Sequence, residues 1–281
     1  MQGKREKKWT FLPLLLVVGL AENDKTVMKI KTEQELEGMK AVSEAVGQTL
    51  REMRRYARPG MTTRELDDYG GTLLADFGAK SAPKETYQFP GFTCISVNKE
   101  IAHGIPTDDR VLREGDLINI DVSGELKGFW ADNGGSFVLG EDIHGHQPLI
   151  DASKACLQAA MAMLRDGVKI TDMGKVIFDT AQAAGFGVIK NLAGHGVGRS
   201  LHEKPTNILS YPDPTNKEQF HKGSVVAVET FIATRSSLAI EMTDGWTLVG
   251  NAGGYTAQHE HTLMVTESEP LILTACNGIF D

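Results

Sequence analysis

Cysteine is scarce in this chain. Only Cys94, Cys156 and Cys276 occur among 281 residues, widely spaced and with no Cys-x-x-Cys pair. Neither a disulfide framework nor a thiolate zinc site is indicated, and a reducing compartment, the cytoplasm, fits best. Positive charge is also in short supply. Lys and Arg total 29 against 37 Asp and Glu, the net charge is -8 and the pI is near 5.5. No long basic run follows residue 30, which argues against direct nucleic-acid binding. His-Glu-x-x-His, Gly-x-x-x-x-Gly-Lys and Gly-x-Ser-x-Gly are missing, so zincin, P-loop and serine-hydrolase readings lose their main support. Gly194-His195-Gly196-Val197-Gly198 is one residue short of a dinucleotide fingerprint. The uncharged stretch from Trp9 to Ala21 is too short to span a membrane as a helix. With Lys4, Arg5, Lys7 and Lys8 ahead of it, residues 4–21 nevertheless have the layout of a signal peptide. The expectation is that residues 1–27 form an N-terminal extension upstream of a true start at Met28, and that residues 28–281 form a single catalytic domain.

What is present is an ordinary globular composition, 41% hydrophobic and 23% charged, enough to bury a substantial core. From Thr32 to Tyr56 the apolar residues Leu36, Met39, Val42, Val46, Leu50 and Met53 step by three or four, and Thr32 with Glu35 makes a capping box. A second helix follows Thr62, with Glu65 three residues on, and runs to about Gly78. Helical patterns recur from about Leu149 to Arg165 and after Thr171 through Met173, Val176, Ile177 and Ala181. Strand-like runs lie at Thr93 to Val97, Leu117 to Val122, Ser136 to Leu139, Ser224 to Ile232 and Thr262 to Val265. Helix, helix, strands thus occurs twice without a linker of biased composition, and one α+β domain is the simplest account.

The chemistry starts in Leu117-Ile118-Asn119-Ile120-Asp121-Val122. Here Ile118, Ile120 and Val122 alternate with Asn119 and Asp121, which share the opposite face. A turn centred on Leu126-Lys127 would set Asp121 directly across from Asp132, with Cβ atoms about 4.5 to 5.5 Å apart. Two carboxylates that close repel unless a cation sits between them, although for the pair alone solvated hairpin acids are the more usual outcome. Three further residues tip the balance. His195 lies between Gly194 and Gly196, where the backbone can pass close to a site. Glu229 interrupts the apolar run Val225 to Phe231, where an uncompensated charge is costly to bury. Glu260 opens another strand after Gln258 and His259. Four carboxylates and one imidazole suit two hard or borderline divalent ions rather than a structural zinc.

Taken together these residues resemble the type I methionine aminopeptidases, metallopeptidases of the creatinase-like pita-bread fold. The similarity runs from about Met28 to Thr274. It rests on Asn98 through Pro106 with His103, on Asn119-Ile120-Asp121-Val122 with Asp132, and on Gly194-His195-Gly196-Val197-Gly198-Arg199 with His202-Glu203-Lys204-Pro205. It continues through Glu229 and Gln258-His259-Glu260-His261-Thr262. The resemblance implies a pseudo-symmetric fold, with a central antiparallel sheet flanked by two helix pairs. It implies two divalent ions, Co, Mn, Fe or Zn, activating a water between them. Asp121 would chelate one ion, Asp132 and Glu260 would bridge both, and His195 and Glu229 would complete one ion's shell. Glu229 would also act as general base. His103 and His202 would lie beside the substrate, one near the amine or leaving nitrogen and one on the scissile carbonyl. The substrates would be nascent polypeptides beginning with methionine, met by a monomer close to the ribosome.

The pattern is broken in places. Thr230 follows Glu229 where proline is usual, and Asn133 follows Asp132 where threonine is common. Pro83, Thr86 and Leu201 stand where many relatives carry cysteine, tyrosine and phenylalanine, while Phe89, Cys94 and Trp246 keep the pocket's apolar character. A methionine pocket of Phe89, Cys94, Leu201 and Trp246 is expected. Competing readings are another hydrolase of the same fold, such as a prolidase or an X-Pro aminopeptidase, a related aminopeptidase with altered N-terminal residue preference, and a metal-free binding protein on the scaffold. The first usually carries an extra N-terminal domain for which too few residues precede Asn98, and the last typically loses ligands.

Overall fold

The computed structural model describes residues 27–281, and the signal-like stretch at residues 4–21 lies outside the described residues. Two long helices open the chain, α1 (Glu33–Tyr56) and α2 (Thr63–Asp76), and both capping boxes form, Thr32 with Glu35 and Thr62 with Glu65. The predicted stripe of α1 is the buried one: Met39, Val42, Val46, Leu50 and Met53 have no solvent-exposed surface. The helix α3 (Ala82–Tyr87) was not expected, because six residues are too few to show a 3.6 periodicity. In the second half, α4 (Gln147–Met163) starts with a proline in its first turn. The next helix, α5 (Ile170–Ala183), begins one residue before the expected cap, so Thr171 lies inside the first turn and Lys169 takes the N-cap without a side-chain hydrogen bond.

The strands are β1 (Lys80–Ser81), β2 (Cys94–Val97), β3 (Glu100–Ala102), β4 (Leu117–Leu126), β5 (Phe129–Val138), β6 (Gly187–Val188), β7 (Ala193–Gly196), β8 (Glu203–Leu209), β9 (Val225–Ala233), β10 (Ala239–Glu241), β11 (Leu248–Gly250), β12 (Thr256–Met264) and β13 (Leu271–Ile272). Ten of them form one antiparallel sheet in the order β1-β4-β5-β12-β9-β7-β8, with β2 on β4, β6 on β9 and β13 on β12. A small sheet β10-β11-β3 stands beside it. The helix α1 packs on β4 and β5, and α4 packs on β9 and β12, with α2 behind α1 and α5 behind α4. Each half of the sheet therefore carries one helix pair, which is the α+β pita-bread arrangement.

Two strands are longer than their residues suggest. Ala131 to Gly135 are poor strand formers, yet they belong to β5 because the whole length of β4 pairs with them. His259, Glu260 and His261 obscure β12, which pairs residue for residue with β9 from Thr256 to Met264. The β4–β5 turn also differs from expectation. It is Lys127-Gly128, both at positive φ (53° and 81°), as a two-residue hairpin turn of the primed type requires. Asp121 therefore faces Gly134, and Asp132 faces Ser123. The two acids are diagonal neighbours rather than directly opposed. They still share a face, because a register shift by an even number of residues leaves side-chain direction unchanged.

Candidate metal centre

Five adjacent strands each deliver one chemically active side chain to the same face of the sheet. In the spatial order β4-β5-β12-β9-β7 these are Asp121, Asp132, Glu260, Glu229 and His195. Neighbouring strands lie about 4.8 Å apart, so the side chains converge without long reach. Glu260 and Glu229 are directly paired across β12 and β9. One oxygen each of Asp132 and Glu260 and one nitrogen of His195 lie within 4.8 Å of one another, and His195 Nε2 is 3.8 Å from Asp132 Oδ2. All five line one cavity of about 1260 Å³.

Such a cluster is costly without a cation. Burial pushes the Asp121 and Glu260 carboxyls well above the usual carboxylate range, and the neighbouring acids push them further. Glu229 is pushed up to about 8 by burial and then by the charge of Asp132. Burial raises Asp132 too, against the opposing pull of His195. Asp132 Oδ1 is buried with no hydrogen-bond partner in the protein. Buried acceptors are almost always satisfied, so an orphan oxygen among four carboxylates and an imidazole fits a hard divalent ion.

Polar side chains around the cluster set its orientation. His195 Nδ1 lies 2.9 Å from the Gly196 carbonyl, which places the ring hydrogen on Nδ1 and leaves Nε2 free toward Asp132. Gly194 and Gly196 are needed for the packing of β7: a Cβ at 194 would lie 2.5 Å from the Ala227 carbonyl oxygen, and one at 196 would lie 2.2 Å from that of Lys204. Gln258 Nε2 donates to Glu260 Oε2 at 3.0 Å, while Asn119 Nδ2 donates to Gln258 Oε1 at 2.7 Å and so aims the amide at the carboxylates. Gln258→Leu is expected to lower divalent-metal affinity by about 10- to 100-fold, as loss of an orienting partner typically does. A competition titration against a coloured chelator reads this, and unchanged affinity would exclude the orienting role.

The residues expected beside the substrate line the same cavity. They are His103, His202, Phe89, Cys94, Leu201 and Trp246. Phe89 and Trp246 meet edge to face with ring centroids 5.1 Å apart, and Cys94 and Leu201 are buried. His103 sits at φ 54°, a left-handed conformation uncommon for a residue with a side chain. Burial holds its imidazole down at about 4 and holds His202 well below the usual value, with His195 and His103 adding to the effect on His202. Both rings are therefore neutral at neutral pH. Tyr87 and Phe231 also line the cavity and were not anticipated. Phe231 lies two residues beyond Glu229 on the same strand, a spacing that could have revealed it.

Comparison with known proteins agrees with this geometry. Residues 37–267 match Metallopeptidase family M24. The chain belongs to that family. It is 44% identical to methionine aminopeptidase 2 of Bacillus subtilis, over 88% of this chain and 99% of that protein. It is 43% identical to a methionine aminopeptidase of Staphylococcus epidermidis, over 88% and 98%. Among solved structures, a methionine aminopeptidase from Thermotoga maritima aligns with a TM-score of 0.84 at 33% identity, covering 88% of this chain and 99% of that one. A prolidase from Pyrococcus furiosus, at 19% identity and a TM-score of 0.70 over 65% of its length, shares the fold.

Thr230 and Asn133, the residues that follow two of the cluster acids, are held by hydrogen bonds. Thr230 is fully buried, and its hydroxyl lies 3.3 Å from the Ser153 carbonyl and 3.5 Å from that of His259. Asn133, also fully buried, donates to the Val122 carbonyl at 2.9 Å and accepts from Asn277 at 3.0 Å. Neither residue faces the cluster, because each is one position along the strand from an acid that does.

Proposed function

We propose that this M24 chain is a methionine aminopeptidase that holds two divalent ions on Asp121, Asp132, His195, Glu229 and Glu260 and removes the initiator methionine from new polypeptides. The observation that carries this reading is the convergence of those five side chains in one cavity that Phe89, Cys94, Leu201 and Trp246 also line. When bound, divalent ions supply a water of lowered pKa and a Lewis acid for the scissile carbonyl. Glu229 is the base that accepts the proton of the attacking water. His202, held neutral, donates a hydrogen bond to the carbonyl oxygen as negative charge develops there. His103 stands by the amine or leaving nitrogen. The ion identity, among Co, Mn, Fe and Zn, follows cellular supply, because carboxylate and imidazole accept all four.

Phe89, Cys94, Leu201 and Trp246 form the pocket for the methionine side chain. An unbranched thioether fills an aromatic-walled apolar cleft and gains sulfur–ring contact. Trp246→Ala is expected to cut the preference for methionine over alanine at the first residue by about tenfold or more, since single apolar contacts discriminate by roughly 1 to 3 kcal/mol. A tripeptide panel measures this, and an unchanged preference would remove Trp246 from the pocket. All five candidate ligands come from one chain, so a monomer suffices. New chains beginning with methionine place the activity in the cytoplasm, close to the ribosome. The deciding experiment is hydrolysis of Met-Ala-Ser beside Ala-Ala-Ser and Ala-Pro-Ser with added Mn or Co, on the full chain and on Asp132→Ala. Methionine release alone, lost in the variant, is expected. Preferred cleavage of another peptide would move the specificity, and no metal-dependent activity would favour a binding protein.

A further inference from the structure

The cavity contains a contact that the function above does not use. Tyr87 is the last residue of α3, and its hydroxyl lies 2.7 Å from His202 Nδ1, 115 residues away in the chain. The chain then turns through Gln88 at φ 60°, and Phe89 enters the cavity. One short helix therefore delivers both a pocket wall and a hydroxyl on the histidine. On its other side the His202 ring lies against His195, with centroids 4.1 Å apart. Among the described residues the His202 ring has no hydrogen-bond partner other than Tyr87.

A neutral imidazole carries one hydrogen, so the direction of this single hydrogen bond decides which nitrogen can donate to a substrate. If Nδ1 donated to the phenol, Nε2 would be bare and could not stabilise an oxyanion. The phenol hydrogen would then have no hydrogen-bond partner among the described residues. If the phenol donates, both groups are satisfied and the imidazole hydrogen resides on Nε2. A phenol ordinarily titrates at about 10, so Tyr87 keeps its hydrogen throughout the neutral range.

We infer that Tyr87 is a positioning residue that holds His202 in the Nε2–H tautomer, leaving that N–H as the donor available to the scissile carbonyl. This rests on the role given to His202 above. It adds a determinant that no local sequence pattern discloses.

Tyr87→Phe in the full chain, loaded with Mn, tests it by steady-state hydrolysis of Met-Ala-Ser. The expected result is a fall in kcat of about 10- to 100-fold, the usual cost of losing an orienting partner, with KM changed by less than about twofold. Removing the phenol in a His202→Ala background is expected to cost nothing further. Side-chain nitrogen NMR of the zinc-loaded protein is expected to show His202 with a bare Nδ1 and a protonated Nε2, and a mixture of tautomers in Tyr87→Phe. Full kcat in Tyr87→Phe, an equal loss in the His202→Ala background, or a protonated Nδ1 in the unaltered protein would each overturn the inference. If the unaltered protein released no methionine with any ion, the functional reading would fail. The NMR tautomer would then decide the role of Tyr87 by itself: a bare Nδ1 that depends on Tyr87 supports it, and any other state overturns it.

Discussion

Asp132→Asn is expected to reduce methionyl-peptide hydrolysis by about 10³-fold or more, and to make the metal-free protein more stable rather than less. The first effect follows from position. Asp132 is the buried acid nearest His195, it has an oxygen with no protein partner, and its charge helps push Glu229 and Glu260 upward. If Asp132 is a ligand as proposed, its loss removes several kcal/mol of transition-state stabilisation, at about 1.4 kcal/mol per tenfold in rate. The second effect has the opposite sign because, without metal, Asp132 is a source of repulsion in the cluster. Asparagine keeps its volume and removes its charge. The hydrogen bonds that Thr262 exchanges with residue 132 involve the main chain and survive the change. A relief of about 1 kcal/mol raises Tm by roughly 2 to 4 °C in a domain of this size. Calorimetry in chelator, beside an assay in Mn, measures both. A metal-free variant less stable than the unaltered protein would make Asp132 a structural acid, and retained activity would remove it from the reaction.

The metal-free protein is also expected to lose stability as pH rises from 7 to 8, by about 1 kcal/mol per pH unit. Glu229 titrates at about 8 in the folded protein, against roughly 4.3 unfolded. Its folded value is raised, so its contribution is complete below the unfolded value and is lost as pH climbs through about 8. Glu260 and Asp121 shift in the same direction. Buried histidines oppose this at lower pH. His103 and His261 are held at about 4 and His259 at about 3, so each adds stability that is lost as pH falls below the unfolded histidine value of about 6.5. Between pH 7 and 8 the histidine contribution is the smaller of the two, because the unfolded-state histidines are mostly deprotonated there. Saturating Mn should remove the decline, because binding displaces protons and strengthens with pH. Thermal melts of the unaltered protein and Glu229→Gln, with and without Mn, read the effect. A decline that persists unchanged in Glu229→Gln would assign it to other groups.

Much of the scaffold was legible along the chain because its signals are local. Thr32 with Glu35 and Thr62 with Glu65 set two helix starts within a single turn, and the apolar stripe of α1 follows from periodicity alone. The start of α5 was misplaced because Thr171 imitates a cap, whereas the chain enters the helix at Ile170. The β4–β5 turn was displaced by a residue because Lys127 supplies a positive φ that a lysine does not advertise. The candidate cluster survived that error. Asp121 and Asp132 keep one face under an even shift, and Glu229 declared itself as a charge within an apolar strand.

From the sequence alone came the residue types of the cluster, the face shared by Asp121 and Asp132, and the helices that cover the sheet; the strand that carries His195 was not legible among its glycines. What was legible depends on spacings of two, three or four residues, which any folded chain must express locally. Only the tertiary structure decided that β12, β9 and β7 lie beside the β4–β5 hairpin, that Glu229 directly faces Glu260, and that Tyr87 reaches His202. Apart from the β4–β5 hairpin, those contacts join segments far apart in the chain. Their partners are chosen by sheet order and register, which the packing of the whole core settles and no short spacing records.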